Sequence, residues 1–252
     1  MDFSDPRQRA AFFEVHSDLP REGPGDGAST RRALALALPL PERPRVLDIA
    51  CGPGAQTLDL AAALPEATIV AVDFHAPYLE QLRRRADEAG CADRIETVHG
   101  DMSALNFEPG AFDLIWCEGA AYIMGLPLAL QAWRPLLREG GRIALSEAVW
   151  LRDDAPAEVK ANWAEYPAMA DVPAVRAQFQ KAGYALLGDF VLPSAAWWEY
   201  YSPIEARLET LGGRFDDDPV SAAIIAESHA EVDCYRKFSD YFGYAFFVAS
   251  VG

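Results

Sequence analysis

Positive charge is scarce in this sequence. Its 252 residues hold 22 lysines and arginines against 38 aspartates and glutamates, a formal net charge of −16 at pH 7. Proteins that grip nucleic acid draw most of their affinity from cations that release counterions, so this balance speaks against such a partner. The one basic run, Arg83-Arg84-Arg85, lies on an otherwise polar helical stretch and reads as a solvated face. Cysteine is equally sparse: Cys51, Cys91, Cys117 and Cys234 are scattered, with no CxxC pair and no Cys/His cluster. They read as reduced thiols, neither disulfide staples nor zinc ligands. The four histidines have no ligand-like spacing, and no metal is expected; His75 is placed to touch a nucleoside, while His16, His99 and His229 read as solvent-facing. No apolar run reaches the roughly 18 to 20 residues that a membrane helix needs. Residues 1–9 lack the basic-then-apolar pattern of a signal peptide. The expected setting is the cytosol, without membrane or nucleic-acid partners, as monomer or homodimer.

What the chain does hold is an alternation of strand and helix signals over residues 45–149, the mark of a mostly parallel sheet covered on both faces. Strands are expected at 45–50, 68–72, 94–98, 112–117 and 142–147. Between them Leu58, Leu60, Ala61 and Leu64 share one helical face, and 77–89 reads as a helix stopped by Gly90. A further helix is expected over 126–137, with Gly140-Gly141 turning the chain into the fifth strand. After residue 149 the rhythm changes. Residues 150–171 read as an insertion, 172–182 as a helix and 184–192 as a sixth strand. A second insertion, 193–242, gathers Trp197, Trp198, Tyr200 and Tyr201 and runs into a long helix over 219–240. Residues 243–249 supply a seventh strand. The expectation is a single α/β domain over 1–252, doubly wound, with 1–44 as an N-terminal helical cover and 45–149 as the ligand-binding core. With 51% hydrophobic residues, a sizeable core can be buried.

The first strand, a Gly-rich turn and a helix carry backbone N–H groups to the carboxyl edge of the sheet, where open α/β folds bind ligands. The turn reads Asp48-Ile49-Ala50-Cys51-Gly52-Pro53-Gly54-Ala55-Gln56-Thr57. A dinucleotide turn carries a third glycine three residues on, for close packing under a pyrophosphate; here Thr57 holds that place. Asp48, at the strand's end, would oppose a pyrophosphate and suits an ammonium group. Asp73 ends the second strand where an acid accepts ribose hydroxyls, or else caps a helix ahead of Pro77; Phe74 follows it. Asp101, in Gly100-Asp101-Met102, is placed to bond an adenine amino group with Met102 against the ring, or to serve a turn.

These residues carry a family resemblance. Val46-Leu47-Asp48-Ile49-Ala50-Cys51-Gly52-Pro53-Gly54, Val72-Asp73, Gly100-Asp101-Met102, Phe112-Asp113-Leu114-Ile115 and Leu136-Leu137-Arg138-Glu139-Gly140-Gly141 resemble, in order, the motifs of class I S-adenosylmethionine-dependent methyltransferases. The resemblance implies a seven-stranded, mostly parallel sheet with an antiparallel last strand, and S-adenosyl-L-methionine as cofactor. It implies that Asp48, Gly52, Gly54 and Thr57 surround the methionine end, Asp73 and Phe74 the ribose, and Asp101 and Met102 the adenine. Leu19-Pro20-Arg21-Glu22-Gly23-Pro24-Gly25 resembles a stretch that folds over the cofactor in bacterial small-molecule members, with Arg21 as partner for a carboxylate; the alternative is a flexible connection.

Methyl transfer from a sulfonium is an in-line displacement, so the protein mainly aligns the acceptor and excludes water. The residues after the fourth strand, Trp116-Cys117-Glu118-Gly119-Ala120-Ala121-Tyr122, depart from the Asn-Pro-Pro-Tyr and Asp-Pro-Pro-Tyr of base-methylating enzymes, leaving a small-molecule acceptor. Glu118, Tyr122 and Glu147 are the candidate catalytic residues, Glu118 either positioning the sulfonium or accepting a proton. Both acids have an alternative as strand-end caps. With the aromatics of the insertions they favour a cationic or amine acceptor through cation–π attraction, unless those rings form lid core. Two rivals stay open: a nicotinamide-dependent oxidoreductase, which the missing third glycine disfavours, and a catalytically silent cofactor-binding protein on the same fold.

Overall fold

The strands of this chain run in sequence order only at first, and the place where that order breaks positions the site. The computed structural model describes residues 5–215 and 217–252; the first four residues of the 1–9 segment considered above lie outside them. Strands β1 (Arg45–Ile49), β2 (Thr68–Asp73), β3 (Ile95–His99), β4 (Phe112–Glu118), β5 (Leu137–Trp150), β6 (Ala170–Asp171), β7 (Tyr184–Val191) and β8 (Phe242–Val251) form one sheet in the order β3-β2-β1-β4-β5-β8-β7, with the two-residue β6 beside β5. β1 pairs in parallel with both β2 and β4, so the sheet switches direction there and opens a crevice at the strands' carboxyl ends. β8 is antiparallel to β5 and to β7.

The helices are α1 (Pro6–Val15), α2 (Gly27–Ala37), α3 (Ala55–Ala63), α4 (Ala76–Glu88), α5 (Leu126–Trp133), α6 (Ala157–Asn162), α7 (Val172–Lys181), α8 (Ser194–Leu211) and α9 (Pro219–Phe238). Central strands are apolar on both faces because each face meets helices: Val46, Leu114, Ala144 and Phe246 pack into one core layer, and Leu47, Ile115, Leu145 and Phe247 into the other. No described helix is long and apolar enough to cross a membrane.

Several expected elements are corrected. The helix expected over 126–137 ends at Trp133, because Pro135 lacks an N–H and tightens Arg134–Leu136 into a 3-10 turn. Strand β5 begins at Leu137, not at 142; a register shift opposite Phe112 and Leu114 absorbs the Gly140-Gly141 bend within it. The first insertion contributes β6, and the second begins with the 18-residue helix α8. Arg85 is no free surface charge. Its guanidinium donates to the carbonyls of Leu19, Pro20 and Pro53 at 2.9 to 3.1 Å, fastening the N-terminal stretch onto the Gly-rich turn.

Candidate active site

Residues Asp48 to Thr57 turn sharply from β1 into α3. Gly54 has φ of +92°, and a Cβ there would lie 2.2 Å from Leu82 Cδ1 and 3.1 Å from its Cβ, so only glycine fits. Ala50 takes a left-handed φ of +56°, which side-chain-bearing residues rarely adopt. Asp48 is completely buried. It accepts the Thr57 hydroxyl at 2.5 Å and, more weakly, Gln56 Nε2 at 3.4 Å. Burial pushes its pKa up to about 8 against the pull of Thr57, with Glu118 and Asp73 adding like-charge repulsion. Thr57 reaches no open space; it acts through Asp48.

Asp73 holds the turn from the other side. Its Oδ2 accepts the Gly52 N–H and its Oδ1 the His75 N–H, each at 2.8 Å. The capping alternative is not realised: His75 is the N-cap of α4 and no side chain caps the helix. Beyond Asp73 lies a cavity of about 350 Å³, walled by Ala50, Asp73, Phe74, Asp101, Met102 and Ile123 among others. That is the size of a small-molecule pocket. Phe74 and Ile123 are exposed, 55% and 62%, leaving apolar walls free for a flat ring. Asp101 Oδ1 accepts the Ser103 hydroxyl at 2.7 Å and N–H at 2.8 Å, which keep its pKa low; Oδ2 carries no hydrogen bond from the described residues. The Met102 carbonyl is fixed by Trp133 Nε1 at 3.0 Å. His75 stacks on Phe13 with ring centroids 3.6 Å apart. His16, expected in solvent, is buried and bonded to Glu22 at 2.6 Å.

Glu118 is fully engaged. Its Oε2 pairs with Arg21 Nη2 at 2.7 Å, while Oε1 accepts Trp116 Nε1 at 2.9 Å and the Thr30 hydroxyl at 3.1 Å. Burial raises its pKa and Arg21 opposes the rise. Arg21 also donates to the Gly23 carbonyl at 2.7 Å, so its charge is spent inside the protein. Gly25 permits this close fit: a Cβ there would stand 2.3 Å from Arg21 Nη2 and 2.7 Å from Glu118 Oε2. The stretch from Leu19 to Gly25 thus folds over the turn, held by Arg85, by Glu118 and by the Gly25 N–H on the Ala196 carbonyl at 2.9 Å. Under it, Glu22 Oε1 and the Tyr78 hydroxyl face each other, buried, and neither has a further partner among the described residues.

On the far side of Gly119, whose added Cβ would meet the Tyr244 ring at 3.5 Å, several tyrosines pack together. Tyr122 and Tyr166 face one another with ring centroids 5.4 Å apart, and Tyr200 and Tyr201 at 5.2 Å. Glu147 is buried at the end of β5. One oxygen accepts the Ala148 N–H at 3.2 Å, and the other has no partner. Burial pushes its pKa up to about 7; the Tyr166 hydroxyl, directed at it without closing a bond on that oxygen, opposes the shift. Glu231 of α9 accepts the Tyr201 hydroxyl at 2.9 Å. Sequence reasoning passed over Glu231. It lies exposed on α9 next to the buried Val232, and only its bond to Tyr201 ties it to the interior.

Comparison with known proteins agrees with this geometry. A family described as "Methyltransferase domain" matches residues 46–141. A demethylmenaquinone methyltransferase of Clavibacter sepedonicus is 34% identical over 148 residues, 56% of this chain and 58% of that protein. One of Thermus thermophilus is 36% identical over 118 residues, 46% and 52%. The chain matches between about a quarter and somewhat more than half the length of such relatives, 24% to 58%. A SAM-dependent methyltransferase from Geobacter sulfurreducens, solved with S-adenosyl-L-homocysteine, shares the fold with a TM-score of 0.82 at 22% identity, covering 95% of this chain and 97% of that one. Residues 46–141 therefore carry a segment similar to methyltransferase domains, on a fold shared with a solved SAM-dependent methyltransferase.

Proposed function

We propose that this protein transfers a methyl group from S-adenosyl-L-methionine to a small molecule in the cytosol. The observation that carries the reading is the charge around the Gly52–Gly54 turn. Asp48, Asp73, Glu118 and Glu22 gather there, and burial raises the pKa of each. Arg21 is committed to Glu118. Such a site repels a pyrophosphate and lowers its own electrostatic cost by taking a cation. A nucleoside carrying an ammonium and a sulfonium fits such a site.

Bound there, the cofactor supplies the electrophilic methyl group. In this assignment Asp73 keeps its two backbone bonds and uses its remaining lone pairs for the ribose hydroxyls. Asp101 Oδ2 accepts from the adenine amino group, and Phe74, Met102 and Ile123 enclose the ring. Gly52 and Gly54 bring backbone close to the ligand. Asp48 offers charge, held in place by Thr57. Glu118 serves as a positioning residue, orienting Arg21 and the 19–25 stretch so that water is excluded. Tyr122 and Glu147 stand on the acceptor side. Relatives named for demethylmenaquinone and for a malonyl-[acyl-carrier protein] act on acceptors that differ widely, so the acceptor is argued from this chain's own residues.

The test is calorimetric titration with S-adenosylmethionine, S-adenosylhomocysteine and NAD, followed by incubation with methyl-labelled cofactor and a metabolite extract. The expected result is binding of both adenosyl compounds and a labelled small product. Binding without any labelled product would favour the catalytically silent alternative. Tight NAD binding with no response to S-adenosylhomocysteine would overturn the reading.

A further inference from the structure

The stretch from Leu19 to Gly25 forms a strap whose two ends are fastened by different means. At its far end Arg21 Nη2 pairs with Glu118 Oε2 at 2.7 Å, and the Gly25 N–H donates to the Ala196 carbonyl of α8 at 2.9 Å. In the middle Glu22 faces Tyr78 of α4 and is bonded at 2.6 Å to His16, which belongs to the same N-terminal segment. At the near end Asp18 takes a left-handed φ of +59° and turns the chain away from α1, and Leu19 buries its side chain in the core. The polar tie at this end comes from α4. Arg85 Nη1 donates to the Pro20 carbonyl at 3.1 Å and to the Pro53 carbonyl at 2.9 Å, while Nη2 donates to the Leu19 carbonyl at 2.9 Å. One planar fork thus joins the strap to the Gly-rich turn, reaching partners 66 and 32 residues away. The neighbouring pair of Arg84 with Asp18, 3.9 Å apart and solvent-exposed, adds little.

The strap covers only one half of the crevice. Glu22 lies over the turn, since a Cβ on Gly52 would stand 3.4 Å from Glu22 Cγ. The cavity beyond Asp73, by contrast, is walled by residues from Ala50 to Met124 and by none of 19–25. In the assignment made above, the nucleoside fills that cavity while the amino-acid end of the cofactor lies at the turn, beneath the strap.

Resting on the methyl-transfer reading, we propose that Arg85 is a positioning residue for the cofactor. Its fork holds the strap down on the turn, and so sets the affinity and residence of the amino-acid end while leaving the nucleoside end untouched. Arg85 meets no reacting atom; it acts through the carbonyls of Leu19, Pro20 and Pro53. Without the fork the strap keeps its ties to Glu118 and Ala196 but loses the bonds that lock its Leu19 end to the turn. A segment held by fewer bonds opens locally at lower cost. Binding of the amino-acid end must then supply the ordering that Arg85 supplies in advance, and affinity falls.

The experiment compares two ligands that differ in the part the strap covers. S-adenosylhomocysteine carries the amino-acid end; 5′-methylthioadenosine keeps the adenosine and the thioether sulfur but lacks it. Both affinities are measured by calorimetry on the unaltered protein and on Arg85→Met, and dissociation of S-adenosylhomocysteine is followed by surface plasmon resonance. Arg85→Met, which has no donors, should weaken S-adenosylhomocysteine at least about tenfold and speed its dissociation, while 5′-methylthioadenosine changes less than about twofold. Arg85→Lys keeps the charge without the fork and should lose at least about threefold for S-adenosylhomocysteine alone. Circular dichroism establishes that each variant is folded; should Arg85→Met fail to fold, Arg85→Lys decides. In a folded variant, equal losses for the two ligands, or no loss for S-adenosylhomocysteine, would overturn the proposal. Failure of the unaltered protein to bind S-adenosylhomocysteine would instead overturn the methyl-transfer reading, so the two failures are told apart.

Discussion

The two halves of the crevice are built on opposite principles. On the cofactor side nearly every polar atom is committed: Asp48 to Thr57, Asp73 to Gly52 and His75, Glu118 to Arg21, Thr30 and Trp116. On the other side Glu147, near Tyr122, Tyr166 and Tyr244, keeps a buried oxygen without a partner among the described residues. The first half is preorganised, because a network of satisfied bonds has one geometry. The second holds a buried carboxylate oxygen with no donor among the described residues. Removing a carboxylate should therefore have opposite consequences in the two halves.

The largest effect is expected at Glu118. Glu118→Gln leaves Arg21 buried without its counter-charge, which costs about 3–5 kcal/mol of stability, seen as a lower denaturation midpoint with accompanying loss of cofactor affinity. A stable variant with intact affinity and slowed turnover would make Glu118 a proton acceptor and dissolve the contrast. Next comes Gly54→Ala. The clash with Leu82 and the φ of +92° together should cost about 2–4 kcal/mol and abolish cofactor binding. Asp73→Asn should weaken S-adenosylhomocysteine at least about tenfold by calorimetry, since charge-assisted bonds contribute roughly 1.5–3 kcal/mol each. The alanine variant would also forfeit the two backbone bonds and so confuse binding with folding.

The acceptor half should respond in the other direction. Glu147 has a folded-state pKa raised to about 7 by burial. Its unfolded value lies lower, so the folded state holds the extra proton, and stability is lost as pH rises through about 7. Glu147→Gln removes that loss while keeping an acceptor for the Ala148 N–H. It should raise stability at pH 8 by roughly 2 kcal/mol and change little at pH 4. A destabilised variant at pH 8 would show that the carboxylate has a partner after all. The smallest effect concerns Asp48. Its pKa of about 8 means that it is largely protonated at neutral pH in the free protein. A cationic ligand draws out that proton, so cofactor affinity should rise a few-fold between pH 6.5 and 8.5, and the binding heat should depend on the buffer's ionisation enthalpy.

The same division governs what could be read from the sequence. The cofactor half is written locally: strand, Gly-rich turn, helix and the acids at strand ends follow one another within short stretches, and β1 to β4 fall where the hydrophobic runs lie. What escaped were contacts across long separations. Arg21 and Glu118 are 97 residues apart, and nothing near Glu118 announces that its charge is already taken. Arg85 looked solvated because its partners are backbone carbonyls of Leu19, Pro20 and Pro53, which have no sequence signature. The start of β5 was misplaced because a register shift, a property of two strands together, hides the Gly140-Gly141 bend inside the strand. The acceptor half is assembled from α8, α9, β8 and the segment around Tyr166, so its chemistry exists only in the folded chain.

The central claim is that acids around the Gly52–Gly54 turn make this crevice a seat for a cationic nucleoside and not for a pyrophosphate. Calorimetric titration of the intact protein with S-adenosylmethionine and with NAD, in two buffers of different ionisation enthalpy, tests it most directly. The account predicts a dissociation constant on the order of micromolar for S-adenosylmethionine, with a proton released on binding, and no heat from NAD up to about 1 mM. NAD binding at comparable affinity, or S-adenosylmethionine binding with no dependence on buffer, would contradict it.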